Sequence, residues 1–327
     1  MNWRVIAALA AGLAVAGCGG NPLGNEPEEC EAPPFATPGD CPDDGGGDGG
    51  GDGGGDGDGD GDGGLEIPEE LRGNLQSVAY NKAAGTLTVQ IDPLGTGGQP
   101  LAFTRAPQYD QAGYQAFTYQ NTDSSRFFVA LFDTSDSGSV TAGVAGSGQF
   151  TEMVWGSAYA VNEAFTRPTG AGIATYSGSY SGLINGGPVQ DPDLPPGTPA
   201  EPIRPARVTG DVVINADFNA TTSTTGQTGI EGTIRNRQLE NNGGALDDVF
   251  LQIAEINPDG TFGGTVTFQD QSPIGSYAGT FGGVGGDAVA GAIEIAPLRT
   301  QGDVLERGVF VADRCTAGQA SPCPSAP

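Results

Sequence analysis

No histidine occurs among the 327 residues of this chain, methionine and tryptophan occur twice each, and 13 lysines and arginines stand against 40 aspartates and glutamates. The missing imidazole removes the general base of a Ser-His-Asp relay, and no G-x-S-x-G segment places a serine nucleophile. Haem capture would fall to tyrosine, because Met153 is the only methionine after the first residue. A net charge of −27 repels a phosphate backbone and excludes nucleic acid as a partner. Apolar runs are short as well. Only Val5 to Val15 is continuous, and it is too short to span a bilayer.

What that run does offer is a leader. Arg4 supplies a positive start, Val5 to Val15 an apolar centre, and Val15-Ala16-Gly17-Cys18 a lipobox, small residues ahead of a cysteine that becomes lipidated when the signal is cut. Residues 1–17 therefore read as a lipoprotein signal peptide and Cys18 as the lipidation site. Gly19 stands where aspartate signals retention at an inner membrane, so the expected address is the outer membrane, with the bilayer contacted through the N-terminal lipid.

Removing Cys18 leaves Cys30, Cys41, Cys315 and Cys323. Export implies oxidising conditions, and four cysteines allow three connectivities. The local pairs Cys30 with Cys41 and Cys315 with Cys323 are favoured, each closing a short loop worth about 2 to 3 kcal/mol in the chain-entropy picture. Zinc fits poorly, since the cysteines are split between distant tails and no histidine joins them.

Residues 18–64 read as a disordered acidic tether. From Asp43 to Gly64 the chain is glycine and aspartate only, and residues 26 to 62 hold thirteen acidic side chains and no basic ones. Such a segment buries no core. About 45 residues of flexible chain reach roughly 40 Å on average, and repulsion between aspartates extends that. The alternation Asp56, Asp58, Asp60, Asp62 looks like a calcium repeat, but the apolar residue such repeats need to pack a roll is absent. No metal site or cofactor is expected.

From Leu65 onward, short alternating apolar segments broken by glycine, proline, asparagine and aspartate predict an all-β protein. A small antiparallel β domain is expected over 65–170. It comprises a hairpin from Leu75 to Asp92 turning at Asn81 to Gly85, then strands at 101–105, 114–119, 126–133, 138–146 and 151–159. Phe103, Phe117, Tyr119, Phe128, Phe132 and Trp155 are its core or rim aromatics. Over 171–314 about eight strands alternate cleanly. Val212, Ile214, Ala216 and Phe218 share one face, Ile230 and Ile234 another, followed by Val249, Leu251 and Ile253, then Phe262, Val266 and Phe268 opposite Thr261, Thr265 and Thr267. Closing these strands into an eight-stranded antiparallel β-barrel removes exposed edges, with glycines at 178, 182, 264, 279 and 291 relieving crowding. The proline-rich stretch Asn185 to Arg207 interrupts the first barrel hairpin as a loop, and 315–327 forms a cysteine-containing tail.

The barrel strands also carry a resemblance. Tyr176-Ser177-Gly178-Ser179-Tyr180-Ser181-Gly182, Asp217-Phe218, Gly260-Thr261-Phe262-Gly263-Gly264, Gly275-Ser276-Tyr277-Ala278-Gly279-Thr280-Phe281-Gly282, Ala288-Val289-Ala290-Gly291 and Gly308-Val309-Phe310-Val311-Ala312 occur in this order. The series resembles the C-terminal barrel of the transferrin-binding protein B-like, factor H-binding protein-like surface lipoproteins, over about 140 residues. The resemblance implies a filled, non-catalytic scaffold whose partners are held by exposed loops and by the preceding domain.

No catalytic residue is expected. Asp217, Glu231 and Glu255 could in principle form carboxylate pairs, but each falls on an apparent solvent face. Gly283-x-Gly285 lies between two strands and lacks the helix a dinucleotide site requires. The expected function is capture of an unidentified protein or small ligand by a surface lipoprotein. The alternative is a periplasm-facing structural or assembly-accessory role.

Overall fold

The computed structural model describes residues 67–92, 98–122, 125–147, 154–170, 172–184, 205–219, 228–240, 244–296, 305–316 and 323. The leader, Cys18, the tether, Cys30, Cys41 and most of the loop expected from Asn185 lie outside these residues.

The described chain opens with a single helical turn, α1 (Glu69–Arg72). Pro68 precedes it, Glu69 and Glu70 sit in its first turn, and Gly73 ends it at φ 58°. Seven strands follow as a meander: β1 (Leu75–Asn81), β2 (Thr86–Ile91), β3 (Leu101–Arg105), β4 (Gln115–Tyr119), β5 (Phe128–Thr134), β6 (Val140–Ser147) and β7 (Val154–Val161). The β1–β2 turn forms because Asn81 Oδ1 accepts the Ala84 N–H at 2.8 Å and Gly85 takes φ 62°. The two end strands almost meet, since the Asn74 N–H donates to the Trp155 carbonyl at 2.9 Å and Asn74 Oδ1 accepts the Trp155 N–H at 3.2 Å. Leu75, Tyr80, Leu87, Val89, Phe103, Phe117, Phe128, Phe132 and Trp155 are buried there, and Tyr119 packs at the rim.

The next eight strands close a barrel in the order β10-β11-β12-β13-β14-β15-β8-β9. They are β8 (Ile173–Ile184), β9 (Ala206–Asp217), β10 (Gly229–Leu239), β11 (Val249–Glu255), β12 (Thr261–Thr267), β13 (Pro273–Gly282), β14 (Ala288–Ile295) and β15 (Glu306–Arg314). Every neighbour pair is antiparallel. The glycines expected to relieve crowding do so against particular atoms. A Cβ at Gly178 would lie 2.0 Å from the Val311 carbonyl oxygen, one at Gly264 2.8 Å from the Tyr277 ring, and one at Gly291 2.4 Å from the Phe310 ring.

β14 departs from simple alternation because both of its faces are covered. Val289, Ile293 and Ile295 point into the barrel core, while Ala288, Ala290 and Ala292 join the core of the seven-stranded sheet. Small side chains on that face let two sheets lie close together.

One expectation needs correction. Ile253 is not on the inner face with Val249 and Leu251, since 66% of it is exposed. Ile230 pairs with Ala254 but Gly232 with Leu251, so β11 carries one extra residue, and that bulge reverses the direction of Ile253. Thr267 keeps the expected outer face, pairing with Phe250 while Val266 pairs with Leu251, but it is buried there, its Oγ1 accepting the Gln252 side-chain amide at 2.7 Å.

Candidate functional site

The barrel interior is filled by its own side chains. Phe281 lies at the centre of an aromatic cluster, its ring 4.9 Å from Phe218, 5.2 Å from Phe262 and 5.3 Å from Tyr176. After β7 the chain crosses this end of the barrel. Phe165 stacks on Phe218 and Phe281, the Thr166 N–H donates to the Gly283 carbonyl at 3.1 Å, and Arg167 donates to the Phe218 carbonyl at 3.0 Å.

The opposite end holds a buried ion pair. Arg237, from β10, donates to the Glu306 carboxylate from β15, and neither side chain is exposed at all. The second Glu306 oxygen accepts the Tyr180 hydroxyl at 2.6 Å, and Arg237 also donates to the Asp247 carbonyl at 2.6 Å. Burial works hardest against the Arg237 charge, but the charge and hydrogen bond of Glu306, with Tyr180 and Asp247 beside it, together outweigh burial and hold the guanidinium above its ordinary value. Burial, then the neighbouring Glu306 charge, pushes the Tyr180 phenol well up, so it stays protonated as a donor. Sequence reading missed the group because nothing local marks it. A register slip between Arg235 and Gln238 accompanies Arg237's burial at a place where alternation would not put it.

The sheet is fastened along the barrel at several points. The Tyr114 hydroxyl reaches the Ser179 carbonyl at 3.2 Å, Ser181 Oγ donates to Gln111 Oε1 at 3.0 Å, and Arg207 donates to the Tyr109 carbonyl at 2.8 Å. Arg207 lies in β9 rather than in the expected loop, with its guanidinium held by Glu240 at 2.8 Å. Arg307 donates to the Leu71 carbonyl of α1 at 3.0 Å, pairs with Glu294, and sits 5.4 Å from the Trp155 ring centre. At the far end of β15, Asp313 accepts the backbone N–H of Asp136 at 3.1 Å.

The wall away from the sheet is shaped differently. β11 and β12 share only the pairs Phe250–Thr267 and Leu251–Val266. Beside this short ladder is an open concavity of about 710 Å³ bordered by Leu246, Asp247, Asp248, Phe250, Phe268 and Asp270. A second, of about 360 Å³, runs from Phe250 over Ile253 to Glu231 and Asn215. Phe250 borders both.

The carboxylates weighed as catalytic candidates lie on this same wall. Asp217 and Glu255 both pair with Gly229 from opposite sides, Glu231 stands two residues further along β10, and Asp217 holds the Asn219 N–H at 2.8 Å. Glu231 and Glu255 are exposed. Gly283 and Gly285 form the β13–β14 turn at φ 75° and 72°. Cys315 and Cys323 are joined by a disulfide. Among the described residues no cluster of three or more potential metal ligands occurs, and no helix is long and apolar enough to cross a membrane.

No family model matches the chain, and no curated protein matches it. Among solved structures, a double mutant of transferrin binding protein B from Haemophilus parasuis Hp5 aligns over 69% of this chain and 40% of its own at 16% identity and a TM-score of 0.39. Isotype 1 transferrin binding protein B from serogroup B Neisseria meningitidis aligns over 75% of this chain and 42% of its own, at 12% identity and a TM-score of 0.40. A surface lipoprotein aligns over 72% of this chain and 95% of its own, at 13% identity and a TM-score of 0.32. The chain spans less than half the length of these two transferrin binding proteins.

Proposed function

We propose that this chain is a non-catalytic surface lipoprotein, anchored in the outer membrane through lipid on Cys18 and lifted on an acidic tether spanning 18–64. Residues 65–170 and 171–314 then form the body it displays, and a protein or small ligand is captured by the loops of that body. The observation that carries the reading is the filled barrel. Phe165 occupies one end and the Arg237–Glu306 pair the other, so recognition is left to strand-connecting loops and outer surfaces. The lipobox and the polyanionic segment behind it supply the address.

The test is protease treatment of intact cells, using a protease too large to enter the periplasm and an epitope inserted after Pro192. Rapid loss of the epitope is expected. Protection that ends only when the outer membrane is opened would sink surface display and favour the periplasm-facing envelope role. Cys18→Ala should move the protein from the membrane fraction to the soluble one.

A further inference from the structure

Lysine occurs once in this chain, as Lys82, against twelve arginines. Arg105, Arg207, Arg237 and Arg307 each serve an ion pair. An ion pair alone would not call for lysine at position 82, since a guanidinium holds a carboxylate through two parallel hydrogen bonds. What lysine adds is a nucleophilic nitrogen. That nitrogen is aimed at one carboxyl. Lys82 lies in the β1–β2 turn, with Nζ 2.7 Å from Oδ1 of Asp133 on β5 and 2.8 Å from the Thr134 carbonyl oxygen.

Both partners are held in place. Gln115, on the neighbouring β4, donates from Nε2 to the Lys82 carbonyl at 3.3 Å, and the Tyr80 hydroxyl donates to Gln115 Oε1 at 3.3 Å. The Thr134 N–H donates to Asp133 Oδ1 at 2.8 Å, which supplies the donor that negative charge building on that oxygen requires. Oδ2 faces Gly113, where a Cβ would lie 3.0 Å away and where φ is 96°. Asp133 is buried, and burial raises its carboxyl above the ordinary value against the hydrogen bond and charge of Lys82. The neutral acid, the form an amine attacks, is thus the form that burial favours.

We propose that Lys82 and Asp133 join in an intramolecular amide, a covalent staple between the first hairpin and β5. The ammonium gives one proton to the carboxylate, and the freed Nζ lone pair attacks Cγ. Oδ1 takes up the negative charge under the Thr134 N–H. Nitrogen then passes a second proton to Oδ2, the Cγ–Oδ2 bond breaks, and one water leaves on the side that Gly113 keeps clear. The third proton stays on the amide nitrogen, and no electron is gained or lost. Placing amine and acid in contact on fixed strands makes the reaction unimolecular. The link closes a loop between positions 51 apart and restrains the unfolded chain as a disulfide does. It stands whichever side of the outer membrane the body faces and whatever the loops capture.

The test is a tryptic digest of the full mature chain, read by mass spectrometry. Trypsin cuts after Arg72, Arg105 and Arg126, and after Lys82 when its amine is free. The expected product is branched, residues 73–105 joined to the peptide that begins at Phe127, and it weighs one water less than those two peptides added together. A linear peptide of residues 73–82 as the main product would overturn the proposal. Because the chain has a single lysine, an amine-reactive ester added in denaturant gives a second reading that folding cannot disturb. The parent should take up no label at Lys82, and Asp133→Ala should take up one label there and regain the tryptic cut. Full labelling of the parent at Lys82 would also sink the amide and leave an ordinary ion pair.

Discussion

The Tyr114 hydroxyl donates to the Val309 carbonyl at 3.2 Å, joining residues 195 positions apart in the chain. One phenol buried on the sheet thereby fixes the sheet to the barrel. Tyr114→Phe keeps the ring and deletes the donor, which should cost about 1 kcal/mol. Urea unfolding should show a lower midpoint at unchanged slope. An unchanged midpoint would mean that packing alone joins the two parts.

The Arg237–Glu306 pair makes a sharper prediction. Glu306→Gln leaves a buried guanidinium without its counter-charge and should destabilise by about 3 to 5 kcal/mol. Adding Arg237→Met should recover much of that loss, because a well-packed apolar side chain replaces the orphaned charge. Thermal melts of the single and double variants decide it. A double variant worse than the single would show that the hydrogen bonds to Tyr180 and Asp247 matter more than charge balance.

Gly178 tests how closely the barrel strands approach. Alanine there places its Cβ 2.0 Å from the Val311 oxygen and 2.6 Å from the Ala312 Cα, so a strand must move. The expected loss is about 1 to 3 kcal/mol. Gly170→Ala, where nothing lies within 4 Å, should be close to neutral in the same melts.

Acidification should act through Asp313. Burial raises its carboxyl above the ordinary value of 3.8, and the neighbouring Asp136 and Asp287 push the same way against the backbone donors of Asp136 and Ser137. Ser137 Oγ also binds Asp287, Glu163 accepts from Ser139, and Arg314 lies on the same edge. A carboxyl with a raised folded value takes up its proton in the folded state first. Its penalty is present at neutral pH and fades as pH falls through the raised value toward 3.8. Asp313→Asn should therefore gain less stability than the parent over that descent. Parallel curves of melting temperature against pH would refute it.

Much of this architecture is legible in the chain because inner positions repeat every second residue and turns are marked by glycine, asparagine and aspartate. Val212, Ile214 and Ala216 on β9 show the pattern best. It fails where register does, as at Ile253, because a bulge is set by pairing with the next strand and not by residues beside it. The alanines of β14 read as ordinary strand filler, and only the arrival of the sheet explains their size. Tyr114, Arg237 and Glu306 meet partners far away in sequence, so no window of residues announces them.

The described chain begins beside the barrel, with Leu71 held by Arg307 and Asn74 by Trp155 before β1 has started. In mechanical terms this is a cleat. A pull applied ahead of Ile67 would meet these contacts to β15 and β7 before it reached the first hairpin.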